Sequence, residues 1–154
     1  MTRLGRLALL LLLGGCGAED AGQPVSPEAT SRPGEARAFE IVRDAFDRGM
    51  GMQGLLEDSP RVRWSDELCP TRATDGTYKT AVFDGAGRCY SGLSFEGCDL
   101  RVAWRGSYHA SAYAHEIMHC LLDRAGRPDP EHASEPSAWA LVQATDEALA
   151  EAGL

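Results

Sequence analysis

Apolar positions divide this chain into three regimes. An unbroken apolar run occupies residues 7–13, apolar residues become sparse between 17 and 34, and from 35 onward they return with regular spacing. Over 35–50, Phe39, Val42, Phe46 and Met50 recur at helical intervals with Arg and Asp between them, which predicts one amphipathic helix. Gly49, Gly51 and Gly54 would end it. Shorter stretches over 61–64, 78–84, 88–95 and 99–104 read as strands. In the last, Leu100, Val102 and Trp104 share one face while Asp99, Arg101 and Ala103 take the other. Asp84-Gly85-Ala86-Gly87 marks a turn between the second and third strands.

A second helix is expected over 107–124, with Gly126 as terminator and Pro128 beyond it. After a loop over 127–133, Ser134 can cap a last helix that tolerates Pro136 in its first turn. Trp139, Val142 and Leu149 are its candidates for the buried stripe. The order helix, small sheet, helix, helix predicts an α+β domain over 35–154, its sheet mixed or antiparallel.

The front of the chain concerns destination. Arg3 and Arg6 precede the apolar run, and Gly14 and Gly15 follow it, as in a secretory signal. The run is far short of the roughly 20 residues a spanning helix needs. Leu13-Gly14-Gly15-Cys16 resembles the bacterial lipobox, in which the cysteine is acylated and becomes the mature N-terminus. That resemblance implies a signal peptide over 1–15, a membrane tie through lipid on Cys16 and, since no Asp follows Cys16, the outer membrane. Residues 17–34, rich in Gly, Ala, Pro and acidic side chains, read as a tether unable to bury a core.

Charge narrows the partners. The net charge is -8, Lys79 is the only lysine, and removing Arg3 and Arg6 makes the protein more acidic still. A nucleic-acid partner is therefore not expected. With Cys16 assigned to lipid, Cys69, Cys89, Cys98 and Cys120 remain, an even number that suggests two disulfides outside the cytoplasm. Of three pairings, Cys89–Cys98 with Cys69–Cys120 is favoured, the first closing a short loop and the second tying the second helix to the sheet.

His115-Glu116-Ile117-Met118-His119 carries the chemistry. Residues four apart on a helix lie one above the other, so two imidazoles project from one face and can share a zinc ion. Glu116 is turned about 100° away, beside the metal rather than on it, where a general base for a zinc-bound water belongs. A catalytic zinc commonly has three protein ligands. His132, the only downstream histidine, is the expected third ligand, with Glu131, Glu135 and Glu147 as competitors.

The motif, its helix and the preceding strand look like those of the zincin metallopeptidases, over roughly residues 99–132. That resemblance implies zinc-dependent hydrolysis of peptide bonds in a peptide or protein substrate, with His115, His119 and a third residue as ligands and Glu116 as catalytic base. It also implies that the strand over 99–104 is the edge on which an extended substrate lies, adding as a further strand. The chain departs from the metzincin pattern, having Leu122 and Ala125 where that subgroup has Gly and a third His. A gluzincin arrangement, with a Glu from a later helix, stays open. Tyr108, His109 and Tyr113 lie near the motif, but none is assigned the oxyanion. The alternative from another class is a non-catalytic lipoprotein scaffold with a structural metal held by four protein ligands.

Overall fold

The computed structural model describes residues 31–51, 53–55, 57–95, 98–127 and 136–154. Cys16 and the stretches expected to be a signal peptide and most of a tether lie outside the described residues. The last residues of the stretch expected to be a tether are packed against the domain: Arg32 lies over the Trp104 ring and pairs with Asp66, and Tyr108 Oη donates to the carbonyls of Arg32 and Pro33.

Helix α1, Glu35–Met50, buries Ala38, Phe39, Val42 and Phe46 as one stripe. Gly51, at φ 65°, closes it in the left-handed conformation that glycine adopts without steric cost. The α+β class expected from the sequence is what forms. Strand β1, Arg61–Ser65, is followed by the short antiparallel pair β2, Val82–Phe83, and β3, Cys89–Tyr90, joined through the Asp84 turn. Then come β4, Gly92–Phe95, and β5, Asp99–Ala103. In the three-stranded sheet β5 is central, parallel to β1 and antiparallel to β4.

Alternation sorts this sheet into two faces. Val62, Trp64, Leu100 and Val102 are buried on the helix side, in register Val62↔Leu100 and Trp64↔Val102. Arg63 and Asp99 lie on the other face and are paired at 2.7 Å. Over the inner face, Trp64 meets Trp104, Tyr108 and Tyr113 at ring separations of 5.1–5.4 Å, an aromatic cluster that supports the start of the next helix.

That helix, α2, is Tyr113–Arg124, shorter than expected. Ser111 Oγ donates to the Ser107 carbonyl and accepts from Arg105 N–H, so 107–112 form local turns in place of helix. The expected stop at Gly126 is present: Gly126 N–H donates to Asp123 O and Arg127 N–H to Leu122 O, with Gly126 at φ 61°. Helix α3, Pro136–Glu151, packs on α1 and α2. A Cβ at Gly49 would come within 2.6 Å of Leu141, so the α1–α3 approach depends on that glycine. Val142 and Leu149 are buried as expected, together with Ala138 and Thr145, but Trp139 is 47% exposed. The stripe 138, 142, 145, 149 follows the helical repeat, and Trp139 lies about 100° off it. The capping assigned to Ser134 concerns a position outside the described residues.

The two disulfides form with a different pairing: Cys69–Cys89 and Cys98–Cys120, with Cα separations of 5.9 and 5.1 Å. Cys89 and Cys98 do not close a small loop, because β3 and β4 run extended between them. Six residues of extended chain, each rising about 3.3 Å, carry the backbone away from Cys89 before the turn at Cys98. Cys98 instead meets the helix that lies against the strand.

On α3, Asp146 is partly buried and its Oδ1 has no hydrogen-bond partner among the described residues. Burial raises its pKa from 3.8 to about 6, partly opposed by the charge of His109. The folded protein therefore holds this proton more tightly than the unfolded chain, and stability falls as pH rises from about 4 to about 6. Since the group keeps part of its surface in water, the effect is about 1 kcal/mol. Thermal melts of Asp146→Asn should lie about 4 °C above wild type at pH 7 and converge with it at pH 4. Parallel curves at both pH values would contradict this.

Candidate metal centre

The site is built on one turn of α2. His115 and His119, both half-buried, bring their Nε2 atoms to 2.9 Å, with the rings perpendicular and their centroids 4.5 Å apart. Two imidazole ligands at about 2.05 Å from a tetrahedral zinc would have nitrogens roughly 3.3 Å apart. The pair therefore fits the ion with a shift of a few tenths of an ångström. Among the described residues, no third His, Cys, Asp or Glu joins them. His132, Glu131 and Glu135 lie outside the described residues. Glu147 is exposed, and it sits eight residues, about 12 Å, along α3 from Trp139, which touches His115.

Glu116 is only 4% exposed, one of the few buried charged side chains. Its carboxylate lies against Gly92 of β4, where an added Cβ would stand 2.6 Å from both Cγ and Cδ. A side chain at 92 would thus occupy the space of the candidate base. Residues 90–94 on one side, with Ala112, His115, Glu116 and His119 on the other, enclose an open cavity of about 410 Å³.

The strand over 99–104, expected to be the substrate edge, is interior. Both sides of β5 are taken, by β1 and by β4. The edge is β4. Ala103 N–H donates to Ser91 O, and in an antiparallel ladder the bonded positions alternate. The main-chain groups of Gly92 and Ser94 therefore point away from β5, and no described strand takes them up.

A larger cavity of about 620 Å³ beside Glu67 and residues 83–87 contains no imidazole. The Asp84 carboxylate there accepts bonds from Ala86 N–H and from the Arg88 main chain and side chain, and its pKa is lowered first by the Arg88 main-chain bond. That is the chemistry of a turn. The smaller cavity is the one lined by both imidazoles and Glu116.

Tyr108 and Tyr113 are in the aromatic core, where burial pushes both phenols far above their usual range, and His109 Nδ1 binds the Leu154 carbonyl. None of the three lines the cavity; Tyr90 does. Sequence reading assigned Trp139, whose ring meets His115 edge-on at 5.4 Å, to the core, and it passed over Gly92. An isolated glycine within a strand pattern was the available sign of close approach.

Compared with known proteins, the chain matches no family model, no curated protein and no solved structure.

Proposed function

We propose that this protein is a zinc-dependent peptidase of the zincin type, carried on the cell envelope by lipid on Cys16. What supports the reading most is the convergence of His115 and His119 Nε2 at 2.9 Å, beside buried Glu116 and an open cavity. Among the described residues no helix is long and apolar enough to cross a membrane, so the envelope assignment rests on the lipobox resemblance.

His115, His119 and a third side chain, proposed as His132, would hold the ion. Zinc bound there supplies a Lewis acid that polarises the scissile carbonyl and acidifies water. The chain's own residues do the rest. The outer edge of β4 would pair with an extended peptide through the main chain of Gly92 and Ser94, fixing the scissile bond over the histidines. Glu116 would take a proton as water oxygen bonds to the carbonyl carbon, then deliver it to the amine as the C–N bond breaks.

Metal analysis and zinc titration test the ligand set. Wild type should bind about one zinc per chain, and His132→Ala should weaken binding at least about 100-fold while Glu135→Ala and Glu147→Ala bind as wild type. Loss in Glu135→Ala instead would place the third ligand at the head of α3. A wild-type protein that binds no zinc would overturn the proposal.

A further inference from the structure

Trp139 is the largest apolar side chain that α3 leaves in solvent, 47% exposed, and the helix does not need it for packing. Ala138, Val142 and Leu149 complete the core stripe at 3% exposure or less. The indole instead meets the His115 imidazole at 5.4 Å and 82°. Of the three tryptophans it alone borders the histidine pair, since Trp64 and Trp104 belong to the aromatic cluster under the sheet.

We propose that Trp139 forms a side-chain subsite that selects a large apolar or aromatic residue next to the bond being cut. The inference rests on the peptidase reading and names its substrate class. An indole offers a broad flat face that gains from covering by aliphatic or aromatic groups and has no acceptor for a polar side chain. Trp139 lies beyond the residues that line the cavity, and its contact with His115 places the indole one ring away from the site where the scissile bond would lie.

Digestion of peptide mixtures by the zinc-loaded protein, with the cuts read by mass spectrometry, should show Phe, Tyr, Leu or Met enriched at one position flanking the cut. Trp139→Ala should lower kcat/KM for a phenylalanine peptide by at least about tenfold and for the matched alanine peptide by under about threefold, with zinc affinity retained. Trp139→Phe should restore the preference. Equal losses on both peptides would make Trp139 a support for His115 and overturn the subsite, as would enrichment of Lys or Arg.

Binding is read without hydrolysis by titrating N-acetyl-phenylalanine amide into the zinc-loaded protein and following the indole N–H resonance that Trp139→Ala removes. A saturable shift that N-acetyl-alanine amide does not produce is expected. If no peptide is cut but this shift appears, the peptidase reading fails and the apolar subsite stands. If the shift is missing, the subsite fails whether or not peptides are cut.

Discussion

Glu116→Gln is expected to keep the zinc and lose hydrolysis, by on the order of 10³-fold in kcat. The amide has the shape of the carboxylate, and the carboxylate is 4% exposed against Gly92, so the substitution leaves packing nearly unchanged. What it removes is a group able to accept a proton from water and return it to the leaving amine. Zinc content and melting temperature should match wild type, since the proposed ligands are His115, His119 and His132. Activity within a few fold of wild type would remove Glu116 from the reaction and the peptidase mechanism with it. Loss of zinc along with activity would instead make Glu116 part of the metal's support.

Gly92→Ala should have the next largest effect, through the same carboxylate. The new methyl group would stand 2.6 Å from Glu116 Cγ and Cδ, well inside contact distance, so strand or side chain must move. β4 is stapled just before its start by Cys69–Cys89 and just after its end by Cys98–Cys120, so the Glu116 carboxylate is the part that gives, by swinging into the cavity it lines and out of the position a base would need. The expected result is a loss of about 100-fold in kcat with zinc retained, and destabilisation of about 1–3 kcal/mol from overpacking. Gly85→Ala, where a Cβ meets nothing within 4 Å, serves as the control and should behave as wild type. In a Glu116→Ala background, where the carboxylate is gone, Gly92→Ala should cost little more, because the two changes act on one contact. Additive losses would show that Gly92 acts by some route other than the base.

Much of this was readable because it is local. The stripe Phe39, Val42, Phe46 needs only the 3.6-residue repeat to predict α1, and the alternation Leu100, Val102, Trp104 needs only the two-residue repeat to predict β5. The spacing His115 to His119 likewise brings two imidazoles together on any helix, wherever that helix packs. The Gly126 stop is equally local, since it depends on one left-handed residue. Ser111 exposes the limit of such reading, because its bonds to Ser107 and Arg105 turn an apparently helical stretch into turns.

Tertiary structure decided what depends on which distant segments meet. No repeat in residues 99–104 says whether that strand has one neighbour or two; the parallel approach of β1 made it interior and moved the edge to β4. The same strand run separated Cys89 from Cys98 and gave each a partner about 20 residues away in sequence. Trp139 was expected in the core stripe of α3 with Val142 and Leu149, but the stripe runs through Ala138 instead, and the angle at which α3 meets α2 turned the indole toward His115. Gly92 shows the division most sharply. Its lack of a side chain is written in the chain, but the carboxylate that fills the vacated space comes from 24 positions away (116 − 92), across an interface formed only when the helix packs on the strand.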